Sequence, residues 1–295
     1  MTRPRHGCAA AWLSNGDLFN WRSATYKGAE QRAREAGTSH RLSSPAERCV
    51  SFGGLYPRVR RRHTPSRRFH DHAEPMLNRD AIRSGAFLES FNFLPPEILW
   101  TQARIDQSLA DTMAARPADE DVWVFAYGSL MWNPLSRFDL SVSATLHGWH
   151  RSFCIRLMAG RGTPQCPGRM LALEPGGHTQ GVALRLDAAA RDEELRILWT
   201  REMLTGAYKP TWTTVTLVTG ETQHALAFVA NGCPRQYEAD SSPSTVARQI
   251  AEAQGPLGTN AEYVLRLRQA LADRALTDAY IEEVAQALGR FETQG

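Results

Sequence analysis

Val122-Trp123-Val124-Phe125-Ala126-Tyr127-Gly128-Ser129-Leu130 is the stretch that decides the fold. Six apolar residues in succession are too few for a buried helix and suit a strand covered on both faces. Gly128-Ser129 then breaks the run sharply. Downstream, strand-like stretches at 142–149, 151–158, 169–174, 179–186, 212–218 and 222–230 are β-branched or alternate in polarity. Helical spacing runs over 79–91 and over 96–116, where Ile98, Leu99, Ile105, Leu109 and Met113 recur after Pro95-Pro96. A single helix at 188–204 interrupts the strands, with Asp187 in front and Gly206 behind as expected caps. Three more helices, 243–254, 260–272 and 277–290, close the chain. One block of strands with helices at its ends and one in its middle predicts an α+β fold, a curled or barrel-like mixed β-sheet flanked by helices.

Of the 295 residues, 42% are hydrophobic and 22% charged, which excludes collagen-like, coiled-coil and wholly disordered chains. No run approaches the length of a spanning helix, so no membrane partner is expected. The five cysteines, Cys8, Cys49, Cys154, Cys166 and Cys233, form no Cys-x-x-Cys pair and signal neither a disulfide framework nor a zinc site. They fit a reducing, cytoplasmic setting.

Charge is unevenly spread. Residues 1–75 carry 13 arginines and Lys27 against six acids, whereas the remainder is acidic enough to leave a net charge of only +3. That segment lacks sustained periodicity and contains Arg58-Val59-Arg60-Arg61-Arg62-His63, so it reads as a disordered Arg-rich extension. Nucleic acid is not an expected partner, because no aromatic platform or recognition helix accompanies the charge. Arginine outnumbers lysine heavily throughout, which points to codon bias, and we expect Met76 to be the natural start of an over-extended frame. Residues 76–295 then form one domain with a helical lead-in at 76–118.

Chemistry concentrates in two places. On the helix at 188–204, Leu195, Leu198, Trp199 and Met203 form an apolar stripe, and Glu202 falls on the same stripe. A carboxylate facing a core costs several kcal/mol unless it is partnered or lines a cavity. It is therefore either salt-bridged, with Arg151, Arg156 or Arg161 as partner, or a general acid/base with a raised pKa. The second place is the turn Tyr127-Gly128-Ser129-Leu130, where glycine lets the backbone present N–H groups to an anion. Ser129 lacks the Gly-x-Ser-x-Gly context of an activated nucleophile. His147 and His150 have no third metal ligand at a telling spacing.

Together with their surroundings these features resemble the ChaC-type γ-glutamylcyclotransferases, which act on glutathione. The resemblance is carried by Val122 to Pro134, by Gly148-Trp149-His150-Arg151-Ser152-Phe153-Cys154, by Ala159-Gly160-Arg161-Gly162-Thr163 and by Pro167 to Leu173. It continues through Leu198-Trp199-Thr200-Arg201-Glu202-Met203 to Tyr208, and through Gly255 to Tyr263, in order and at matching intervals. Met76-Leu77-Asn78-Arg79-Asp80 is similar to the family's bacterial N-terminus. Ala126 departs from the pattern, since the family commonly has glycine there, and its methyl group is expected to narrow the loop.

The resemblance implies a γ-glutamylcyclotransferase-like fold and a lyase reaction without cofactor or metal. The substrate's own α-amino group closes a lactam on its γ-glutamyl carbonyl, giving 5-oxoproline and Cys-Gly. Alternatives are a cyclotransferase for other γ-glutamyl amino acids or amines, and a silent γ-glutamyl-binding module. The resemblance makes Glu202 the acid/base. It makes Val124, Phe125, Ala126, Tyr127, Gly128, Ser129, Leu130 and Tyr208 substrate-binding, with Arg156 and Arg161 as anion clamps and Tyr237 and Tyr263 as further lining. The oligomeric state is left open, a monomer included. Mass spectrometry of the native protein is expected to find Met76 at its N-terminus, and any peptide from upstream would refute that start.

Overall fold

The computed structural model describes residues 77–117, 121–232 and 235–292. The Arg-rich extension, Met76 and Cys233 lie outside the described residues.

Five strands close a barrel in the order β1-β3-β2-β4-β5. They are β1 (Trp123–Ala126), β2 (Phe138–Leu157), β3 (Gly168–Leu186), β4 (Tyr208–Leu217) and β5 (Thr222–Ala230). All pairs are antiparallel except β1 with β5, whose parallel register Trp123↔Ala225 and Val124↔Leu226 completes the closure. The expected strands 142–149 and 151–158 are one strand, β2, and 169–174 and 179–186 are likewise one strand, β3. The breaks at Gly148, Gly176 and Gly177 are positive-φ kinks, and register shifts at His147/Trp149 and Ser152/Ile155 bend the long hairpin. Such bulges increase the twist of a strand without ending it.

β1 shows why its sequence has no polar face. Trp123, Phe125 and Tyr127 pack into a core cluster shared with the C-terminal helices, while Val122, Val124 and Ala126 pack into a second shared with α3 and α4. These helices are α3 (Gln102–Ala114), α4 (Arg191–Glu202), α5 (Pro243–Glu252), α6 (Asn260–Ala272) and α7 (Ala279–Glu292). A short pair, β6 (Gln254–Gly255) and β7 (Gly258–Thr259), joins α5 to α6. Among the described residues no helix is long and apolar enough to cross a membrane.

The lead-in differs from the expectation. The helix expected over 79–91 is split by Gly85 (φ 82°) into α1 (Arg79–Ser84) and α2 (Ala86–Glu89). The helix expected from residue 96 begins only at Gln102, because Thr101 supplies its cap and residues 95–100 form turns. At α4, Ala190 occupies the N-cap position, and the Asp187 carboxylate instead accepts from Ala189 N–H at 3.0 Å, one turn too early to start the helix. Gly206 is not the C-cap, which is Met203. Its positive φ of 63° turns the chain into β4, where a Cβ would strike Trp100.

α4 is buried on almost every side, Glu194 included. The Glu194 carboxylate is reached by Arg79 through two hydrogen bonds of 2.6 and 2.8 Å and by the Arg137 N–H at 2.8 Å. Arg79 comes from α1, so the lead-in neutralises a charge inside the fold. Removing one partner of a buried pair strands the other. Arg79→Ala is therefore expected to destabilise the protein by about 3 kcal/mol, measured by chemical or thermal unfolding.

Candidate active site

Glu202 is the last residue of α4, and the chain leaves the helix at Met203, whose N–H donates to Trp199 O at 2.8 Å. Its side chain, 12% exposed, enters a cavity of about 1100 Å³, counting the part open to solvent. Ser129, Tyr208, Tyr263 and Trp132 share the wall with it. Between Glu202 and Ser129 sits Arg201. Its Nη2 donates to Ser129 Oγ at 2.7 Å, and its Nη1 to the Asn133 carbonyl. Its Nε stands 2.9 Å from Glu202 Oε1. That oxygen is nevertheless buried without accepting a hydrogen bond.

The turn after β1 is held by close packing. Ser129–Met131 forms one 3-10 turn, with the Met131 N–H donating to Gly128 O at 2.9 Å. A Cβ on residue 128 would lie 2.7 Å from the Tyr263 hydroxyl oxygen, so a side chain there would displace Tyr263 from the wall. Tyr263 is fixed from its other sides by edge-on contacts with Trp132 and Phe153. The Tyr127 carbonyl accepts from Arg151 Nε at 2.8 Å, and Arg151 is buried against Asp278 at 2.7 Å.

Burial pushes the Glu202 carboxyl above its ordinary pKa, while the Arg201 guanidinium opposes the shift. The hydroxyls around it move the same way. Tyr208 and Tyr127 are driven well up by desolvation with the Glu202 charge adding to it, and Tyr263 is pushed up to about 12. These tyrosines stay neutral while the carboxyl titrates.

The ChaC-like protein family model matches residues 122–290, more than half of the chain. A glutathione-specific γ-glutamylcyclotransferase of Escherichia coli is 46% identical over 203 residues, covering 69% of this chain and 88% of the relative. Glutathione-specific γ-glutamylcyclotransferase 1 of Homo sapiens is 30% identical over 178 residues, covering 57% and 78%. A crystal structure of a glutathione-specific γ-glutamyl cyclotransferase from yeast superposes with a TM-score of 0.54 at 22% identity, covering 59% of this chain and 97% of that one, a likeness of fold. The chain belongs to the ChaC-like family.

Against that membership, the expected site residues divide into three groups. Glu202, Ser129, Tyr208, Arg156, Arg161 and Tyr263 line one cavity. Val124, Phe125, Ala126, Tyr127 and Leu130 do not line it with their side chains, which are core, and Gly128 is not in its wall either, lying against the Tyr263 hydroxyl. The Ala126 methyl is fully buried in the cluster with Val124 and Trp199, so the narrowing expected of it is absorbed by the core. Tyr237 is elsewhere. Its hydroxyl donates to Glu174 at 2.6 Å, and it lines a separate depression with His150 and His178.

The salt-bridge partner foreseen for Glu202 is a different arginine. Arg151 faces Asp278, Arg156 lies 3.4 Å from Glu238, and Arg161 lies 2.9 Å from Glu262, leaving Arg201, the adjacent residue, beside Glu202. Sequence reasoning passed over Arg201, Arg169, Gln236 and Asn260, all in the cavity wall. Arg169 and Asn260 stand within stretches that carry the family resemblance, and the Arg169 N–H donates to Asn260 Oδ1 at 2.7 Å across Gly168.

A carboxyl whose pKa is raised on folding contributes stability in acid that is lost as pH rises through the folded-state value. Glu202→Gln has no such loss. Its melting temperature is expected to gain on the wild type as pH goes from about 4 to about 8, and parallel melting curves across that range would refute the raised pKa.

Proposed function

We propose that this chain cleaves glutathione by intramolecular cyclisation, releasing Cys-Gly and 5-oxoproline, with Glu202 as its general acid and base. The observation that carries the reading is the Glu202 carboxyl, only 12% exposed and 2.9 Å from Arg201 Nε, set in a cavity wall shared with Ser129 of the turn after β1.

The substrate's α-amino nitrogen attacks its own δ-carbonyl carbon, and the bond from that carbon to the cysteinyl nitrogen breaks. An ammonium cannot attack, so Glu202 first takes a proton from it. The same carboxyl then returns that proton to the departing nitrogen and relays to it the second proton that the ring nitrogen sheds on closing, so that 5-oxoproline forms as a neutral lactam N–H, Cys-Gly leaves as its ammonium, and no net proton is consumed. Burial strengthens Glu202 as a base, and Arg201 at 2.9 Å keeps its ionised form accessible. Holding nucleophile and carbonyl in one cavity converts much of the entropic barrier into binding.

The backbone around Tyr127, Gly128, Ser129 and Leu130 receives the γ-glutamyl group, holding its α-carboxylate and polarising the reacting carbonyl. Val124, Phe125 and Ala126 serve this binding through the strand that positions the turn. Tyr208 acts as a wall, since its hydroxyl is spent on Leu171 O at 2.7 Å. Arg156, with its side chain 43% exposed and only a 3.4 Å contact to Glu238, is the clamp for the glycine carboxylate. Arg161 works from behind, tied to Thr259 O and Glu262 at the start of α6. The free thiols of Cys154 and Cys166 support a reducing, cytoplasmic compartment.

Incubation with reduced glutathione and chromatography for Cys-Gly and 5-oxoproline tests the reaction. Glu202→Gln is expected to lower turnover at least about a hundredfold with an unchanged circular dichroism spectrum, and retained turnover would remove Glu202 from the mechanism.

A further inference from the structure

The lead-in from Leu77 to Trp100 lies outside the residues that the family model matches, yet it builds part of the cavity. Leu77, Phe87 and Phe91 line the same space as Glu202 and Ser129, together with Leu204, two residues beyond the carboxyl. Phe87 and Phe91 meet edge to face at 5.1 Å and pack with Ala159, Ile197 and Leu204 into a third apolar cluster. The strap is pinned at both ends of α4. Arg79 holds Glu194 in its first turn, and the Trp100 N–H donates to Leu204 O at 2.8 Å just past its last.

The cavity beyond Glu202 therefore has two kinds of wall. The strap contributes apolar side chains, while β2, the loop after it, β3 and α6 contribute Arg156, Arg161, Arg169 and Asn260. The leaving half of a γ-glutamyl tripeptide has the same two characters. Its terminal carboxylate is anionic, and its central side chain projects from the carbon attached to the scissile nitrogen, so it begins within two bonds of the atom that Glu202 protonates. The carboxylate belongs with the arginines, and the central side chain is left to the aromatic pair. A charged group there would be buried without a partner.

We infer that the Phe87–Phe91 face of the strap is a subsite for an apolar substituent on the central residue of the substrate, so that thioethers of glutathione carrying alkyl groups are bound and cleaved. The inference rests on the cyclotransferase reading. The chemistry is unchanged: the thioether bond stays intact, and the products are 5-oxoproline and the S-alkyl dipeptide.

S-hexylglutathione and glutathione, assayed side by side, test it. The wild type is expected to turn over both. The ratio of kcat/KM for S-hexylglutathione to that for glutathione is expected to fall about tenfold or more in Phe87→Ala and in Phe91→Ala. Phe91→Leu, which keeps an apolar side chain in the cluster, should restore most of that ratio if Phe91→Ala acts through the subsite. Phe93→Ala, at a residue 56% exposed and outside the cavity wall, should leave the ratio as it is. A wild type that neither cleaves S-hexylglutathione nor is inhibited by it overturns the subsite, as does a ratio unmoved by either alanine. Failure to cleave any γ-glutamyl compound would sink the cyclotransferase reading instead. Calorimetric titration of S-hexylglutathione into Glu202→Gln then decides the subsite alone, with binding weakened about tenfold by Phe91→Ala supporting it and no binding refuting it.

Discussion

The Arg201 guanidinium is the join on which the site depends. It reaches the Asn133 carbonyl, Ser129 Oγ and the neighbourhood of Glu202 Oε1, and so fastens the end of α4 to the turn after β1. These two segments are far apart in sequence, and one arginine bridges them. The same residue moderates the carboxyl it stands beside. Burial pushes the Glu202 pKa up, and the adjacent positive charge opposes that shift. An acid/base needs both states.

Around that join, side chains are held by partners outside the cavity. Arg151 grips the Tyr127 carbonyl from the far side, itself fixed by Asp278 at the entrance to α7. Tyr263 stands where a side chain on residue 128 would be, so the glycine is required by the neighbour's approach and not by its own φ of −132°. On the opposite flank the lead-in clamps α4 through Arg79 and Glu194. Arg151 with Asp278 and Arg79 with Glu194 thereby hold turn and helix from outside the cavity wall. This is the arrangement expected when a rigid scaffold positions groups that must meet a reacting atom within a fraction of an ångström.

Much of this was legible in the chain. The apolar run at 122–127 announced a strand covered on both faces, and the two core clusters meeting across β1 are the reason it needed no polar side. The anomaly of Glu202 was visible as a carboxylate in register with Leu195, Leu198 and Trp199. The stripe itself was a partial truth, because α4 is buried on nearly every side, and Ile197, Thr200 and Arg201 are covered as well. Periodicity reports an exposed face only where one exists. The gaps expected at 150 and at 175–178 are bends within continuous strands, marked by the positive-φ glycines 148, 176 and 177, since a kink and a terminus can use the same residue type for the same φ.

The chain by itself determined the succession of the main strands and helices and the residue whose carboxyl had to be repaid for its burial. All of these follow from local spacing and side-chain chemistry. Tertiary structure alone decided which arginine meets that carboxyl, which tyrosine walls the cavity and which faces another depression, and that a lead-in outside the family match supplies aromatic lining. Those outcomes depend on how β2 and β3 bend and close on β1, a sum of many small twists that no single stretch of sequence records.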